Sequence, residues 1–129
     1  PAYVWQTRPI NTEDYDSIGI TLSSNALTLP SGTYAWNLSG TGNSLDWNKL
    51  RIRQTSGTAA TLGETVMRYY HDINGMNYGN GVFIIAAEET IEVQQIASEA
   101  SLLSGLGERS NDVDMGTNTY TTLQLIKVA

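Results

Sequence analysis

The sequence contains no cysteine. Disulfide frameworks, thiolate metal centres and cysteine nucleophiles are therefore excluded, and the composition suits a protein made in a reducing cytosol. Cations are scarce: seven Lys and Arg stand against thirteen Asp and Glu, a formal net charge of −6. Phosphate-backbone binding needs clustered Lys and Arg, so nucleic acid is not an expected partner. Long apolar runs are also missing. The longest, VFIIAA at 82–87, falls far short of the roughly 20 residues of a membrane-spanning helix, so a membrane is not an expected partner. There is a single histidine, and neither GxSxG, GxGxxG nor GxxxxGK occurs. The commonest hydrolase, dinucleotide and nucleotide signatures are thus absent.

What remains is a chain of 129 residues, 40% hydrophobic and 16% charged, enough for one domain with one core. Twelve glycines with many Ser, Thr and Asn suit short strands joined by turns. The start, PAYVWQT, has no basic n-region and no long apolar region, so no signal peptide is visible. Pro1 is compatible with removal of an initiator Met. On that reading the chain is expected to be a whole small protein.

Several segments alternate with period two, which places every second side chain on one face of a strand. ALTL (26–29) puts Leu27 and Leu29 on one face. TYAWNLSG (33–40) does the same with Tyr34, Trp36 and Leu38. In KLRIRQT (49–55), Leu50 and Ile52 are expected inward, with Lys49, Arg51 and Arg53 outward. In TIEVQQIAS (90–98), Ile91 and Val93 go inward and Glu92 and Gln94 outward. Further strands are read at AYVWQT (2–7), IGITLSS (18–24, weakened by Gly19), TVMRYYH (65–71), VFIIAA (82–87, buried) and YTTLQLIKV (120–128). The pivot TLPSGTY (28–34) is read as a turn joining two antiparallel strands. Pro30 and Gly32 supply its backbone requirements. TGNSLDWN (41–48), DINGMNYGNG (72–81) and SEASLLSGLGERSNDVDMGTN (98–118) are read as loops. Eight or nine short strands with frequent turns make an all-β sandwich or barrel.

Candidate chemistry is sparse. His71 beside Asp72 could act as a general base, but neither has a supporting motif, and a polar strand end explains both. Asp112 and Asp114, in a DxDxG pattern, share part of a calcium-loop grammar without its closing Glu, so no metal is expected. Asn74, Asn77, Tyr78 and Asn80 form the most binding-like set: Tyr78 offers a stacking face, and the amides offer paired donors and acceptors, as sugar-binding loops do. Tyr3 with Trp5, and Tyr34 with Trp36, are candidates for a subunit interface, where Tyr and Trp are enriched. An ordinary core is the competing explanation. Asn37-Leu38-Ser39 matches a glycosylation sequon but lies in an expected strand.

At TRPINT (7–12) and LTLPSGTYAWNL (27–38) the chain resembles the C-terminal domain of bacteriophage tail fibres, a jelly-roll of the C1q/tumour-necrosis-factor type. KLRIRQT, GVFIIAAEETIEVQQI (81–96) and TTLQLIKV (121–128) follow in an order similar to that family's. After Trp36 the sequence departs from the family pattern, with NLSGTGNSLDWN in place of a longer basic and aromatic segment. The resemblance implies a jelly-roll β-sandwich assembled as a homotrimer on the outer surface of a virion. It carries no catalytic residues and no cofactor, so an enzyme is not expected. Residues 1–17 are read as an N-terminal segment, serving as an interface or anchoring arm, and 18–129 as the jelly-roll. The first functional reading is capsid decoration, with the major capsid protein as partner. The alternative is the receptor-binding tip of a tail fibre, joined to a stalk and holding a host surface glycan.

Overall fold

The computed structural model describes residues 3–14, 16–43, 46–70, 74–98 and 121–129. Ten strands run in chain order: β1 (Gln6–Thr7), β2 (Thr21–Ser23), β3 (Ala26–Leu29), β4 (Gly32–Asn43), β5 (Asp46–Gln54), β6 (Thr61–Glu64), β7 (Arg68–Tyr70), β8 (Asn74–Ile85), β9 (Glu89–Ala97) and β10 (Thr121–Lys127). They form two antiparallel sheets. The larger has the order β2-β3-β9-β5-β6, with β1 also on β9 and β7 also on β5. The smaller has the order β10-β4-β8. The expected all-β sandwich is present.

Alternation sets which side chains meet between the sheets. Leu27, Leu29, Leu50, Ile52, Ile91 and Val93 project from the larger sheet. Tyr34, Trp36, Leu38, Phe83 and Ile85 project from the smaller one. Each such fully buried side chain contributes about 1.5–3 kcal/mol relative to exposure. Tyr34 and Phe83 stack with ring centroids 5.5 Å apart. The hairpin between β2 and β3 closes through Ser24 and Asn25, both at positive φ, as a two-residue turn requires.

Three sequence expectations are corrected. TLPSGTY does not close a hairpin: β3 and β4 belong to different sheets, so the segment crosses from one layer to the other. Both strands still present their apolar faces to the same interior. The Tyr34 hydroxyl donates to the Pro30 carbonyl at 2.6 Å and fastens the corner.

The loop expected at 72–81 is, from Asn74 onward, part of β8, paired to β4 from Gly32↔Ile85 to Asn43↔Asn74. Its glycines are a cradle. Gly79 and Gly81 face inward beneath the Trp36 indole, where a Cβ on Gly81 would sit 3.0 Å from the indole nitrogen. The loop expected at 41–48 likewise gives way to the end of β4 and the start of β5.

Over residues 3–8 the N-terminal segment is stitched into the larger sheet. Tyr3 N–H donates to Ala97 O, and Arg8 N–H to Val93 O. The Arg8 side chain is buried, with Nε donating to Thr121 Oγ1 at 2.6 Å and Nη1 donating to Thr41 O and Gln95 Oε1, each at 2.8 Å. One guanidinium thus ties β4, β9 and β10 together, and burial lowers its pKa to about 10. Residues 99–118 and His71, Asp72, Asp112 and Asp114 lie outside the described residues.

Candidate interaction surface

The structure separates the residues grouped as a sugar-binding set. Along β8, alternation sends Asn77 inward and Tyr78 and Asn80 outward. Asn77 is fully buried, its amide against that of Asn48 and 3.3 Å from the carbonyls of Asn48 and Val66. It satisfies interior polar groups and is inaccessible to a ligand. Asn74 pairs with Asn43 in the strand ladder, and its side chain lies outside the described set. Tyr78 and Asn80 remain exposed, on a strand and not on a loop.

The four interface candidates also divide. Tyr34 and Trp36 are core residues of their own chain, at 0% and 4% exposure. A side chain already buried between the sheets has no surface to offer a neighbouring copy, so both are withdrawn from the interface. Burial also raises the Tyr34 phenol's pKa. Tyr3 is exposed. Trp5 is half-buried, its ring 3.9 Å from the Arg51 guanidinium carbon in a cation–π contact.

Trp5 and Arg51 lie on the outer face of the larger sheet, with Lys49 and Arg53 outward as expected. Each cation there has a hydrogen-bonding partner. Lys49 Nζ is 3.0 Å from Glu64 Oε2, Arg51 Nε donates to Gln94 Oε1, and Arg53 Nη1 donates to Thr61 Oγ1. Burial first, then Arg53, lowers the pKa of Arg51, and Glu64 and Glu92 oppose that shift. Signs are interspersed, as on an ordinary solvated face.

The outer face of the smaller sheet is different. Its rows follow from the strand register. Val128 and Ile84 flank Thr33. Then come Ile126–Ala35–Val82, Gln124–Asn37–Asn80, Thr122–Ser39–Tyr78, and Thr41–Met76. None of these residues is charged. Ile84 is 72% exposed, Val82 63% and Val128 59%, with Met76, Tyr78 and Ile126 about half exposed. The exposed aliphatic cluster of Val82, Ile84, Ile126 and Val128 on this uncharged face marks an interaction surface. Depletion of charge is the signature of an interface core.

The sequence reading missed this surface by taking VFIIAA as buried throughout. The signal was there: an unbroken apolar run needs cover on both faces, and a two-layer sandwich covers only one. Among the described residues no group of three or more His, Asp or Glu is placed to hold a metal ion. Nor is any helix long and apolar enough to cross a membrane.

No protein-family model and no curated protein matches the sequence. Solved structures do match the fold. The globular domain of zebrafish complement 1qA protein superposes with a TM-score of 0.56 and 13% identity, over 93% of this chain and 79% of that one. Murine APRIL superposes with a TM-score of 0.60 and 17% identity, over 96% of each chain. The fold is therefore a jelly-roll of the C1q/tumour-necrosis-factor type.

Proposed function

We propose that this chain is a non-enzymatic structural protein that self-associates as a homotrimer through the outer face of β10-β4-β8. We place it on the outer surface of a bacteriophage particle as a capsid decoration protein. The observation that carries self-association is the charge-free face with Val82, Ile84, Ile126 and Val128 exposed. The chain carries a net charge of −6, and this face lets copies meet without bringing charged side chains into contact.

The virion role is supported by the resemblance of TRPINT and LTLPSGTYAWNL to tail-fibre domains. Decoration is preferred over receptor binding because the Asn/Tyr segment proposed to hold a glycan is a paired strand with Asn77 inside. An apolar, charge-free face is suited to packing against protein.

Light scattering at micromolar concentration is expected to return three times the chain mass, and a monomer would overturn the assembly. Immunogold microscopy of intact particles is expected to label the head. Label at the tail extremity would support the receptor-binding reading instead, and unlabelled particles would remove both.

A further inference from the structure

Across the middle of the self-association face runs a row made wholly of amides, Gln124–Asn37–Asn80. We propose that this amide row is the alignment key of the assembly, with Asn37 closing a hydrogen-bonded ring with the Asn37 of the neighbouring copies. The proposal rests on the self-association reading above and adds how copies find one arrangement.

Position is the first argument. Asn37 sits on the central strand β4, with Ala35, Val82 and Ile126 one row to one side and Tyr78 one row to the other. Asn37 is exposed in the single chain, and so is Asn80. With Ile126–Ala35–Val82 on one side and Thr122–Ser39–Tyr78 on the other, the amide row becomes buried when the face is covered.

Chemistry is the second. A primary amide carries two N–H donors and an acceptor oxygen. Asn37 Nδ2 donates to Gln124 Oε1 at 3.2 Å, which uses one N–H. The other N–H and Oδ1 are left to pair outward. One donor and one acceptor per copy can close a ring around a rotation axis, each copy donating to the next. A carboxylate or an ammonium at this position could not, because each offers only one half of the pair.

Selectivity is the third. Side chains on one face of a strand recur at every second residue, so a copy shifted by one such repeat meets a similar spacing of side chains. A shift of one repeat toward Ala35 would set the amides against Ala35, Val82 and Ile126. Buried amides without partners are penalised far more than paired ones are rewarded. The aliphatic residues supply attraction without direction, and the amide row rejects alignments that set it against them. A single buried Asn has the same effect in helical assemblies.

The test is native mass spectrometry and sedimentation on the wild type, Asn37→Val, Asn80→Val and the triple variant Asn37→Val/Asn80→Val/Gln124→Val. Thr122→Val, one row away, is the control. All substitutions are at exposed strand positions and introduce a strong β-former, and circular dichroism checks that the fold is kept. The wild type and Thr122→Val are expected to give one assembled mass. Asn37→Val, which leaves the other amides unmatched, is expected to weaken association about tenfold or more. Asn80→Val is expected to do so to a smaller degree. The triple variant is expected to associate at least as tightly as wild type but as a mixture of masses.

Single-valine and triple variants that keep one wild-type mass and the wild-type dissociation constant would overturn the key while leaving self-association intact. A monomeric wild type would overturn both.

Discussion

A methyl group added at Gly63 would lie 2.3 Å from Cζ2 of the Trp36 indole. The two residues belong to opposite sheets, β6 and β4, so the indole spans the interior and abuts bare backbone on the far side. On its own sheet it lies over Gly79 and Gly81. The largest side chain of the core is thus accommodated by three glycines, each distant from it in sequence or read from sequence as a turn.

Gly63→Ala is therefore expected to destabilise the fold by about 1–3 kcal/mol, the usual cost of overpacking. Gly63 has no positive φ, so backbone strain does not contribute. Without the clash, the reduced entropy of the unfolded chain would make Gly→Ala slightly stabilising, which gives the two readings opposite signs. Urea unfolding distinguishes them. Trp36 Nε1 has no hydrogen-bond partner among the described residues, so Trp36→Phe removes volume and no bond. The double variant with Gly63→Ala is expected to be more stable than the sum of the single effects. Strict additivity would mean that the indole and Gly63 do not touch.

Ile84→Lys and Ile126→Lys are expected to convert the assembly to monomers without unfolding the chain. Both residues are exposed in the single chain, so the new charge should change its stability by no more than about 0.5 kcal/mol. In an interface core the same charge would be desolvated. Light scattering reads the mass, and thermal unfolding reads the fold. Variants that keep the assembled mass would move the contact to another surface.

Arg8→Met is expected to destabilise the protein by roughly 3 kcal/mol, because Thr41 O, Gln95 Oε1 and Thr121 Oγ1 lose their donor in the interior. Arg8→Lys should recover only part of this, since an ammonium cannot reproduce the guanidinium fork. Equal stability of the Arg, Lys and Met forms in urea would show that the clamp is dispensable.

The Asp16 carboxylate accepts from the N–H groups of Ile18, Gly19 and Ile20 at 2.8, 3.0 and 2.9 Å. These bonds favour the charged form, and the one from Ile18 contributes most to lowering its pKa. A lowered folded-state value means that the turn's stabilisation is present above the ordinary aspartate range, near 3.9. It is lost as pH falls through the lower folded value. Amide exchange at Ile18–Ile20 is expected to show protection at neutral pH that Asp16→Ala removes. In wild type that protection should fall below the ordinary aspartate range. Protection unchanged in Asp16→Ala would remove the carboxylate from the account.

Much of the fold was legible locally. Leu50 and Ile52 against Lys49, Arg51 and Arg53, and Ile91 and Val93 against Glu92 and Gln94, face as their alternation requires. The face of a strand residue depends only on backbone geometry, so neighbouring residues carry that information. The candidate site was less legible. Tyr78 and Asn80 lie on the exposed face, whereas strand geometry sends Asn77, their neighbour in the binding-like segment, inward. Glycines in NGMNYGNG look like turn residues until Trp36 is set opposite Gly81.

The all-β class, the inward and outward faces of the alternating strands, and the absence of thiol chemistry could all be read from the chain alone. Each follows from composition or from a period of two. Tertiary structure decided the rest: which sheet each strand joins, and which apolar face is left without cover. Those depend on hydrogen-bonding partners far apart in the chain, such as β4 with β8 and β10. So TLPSGTY became a crossing between layers, and Val82 and Ile84 came to lie on a face that is exposed among the described residues.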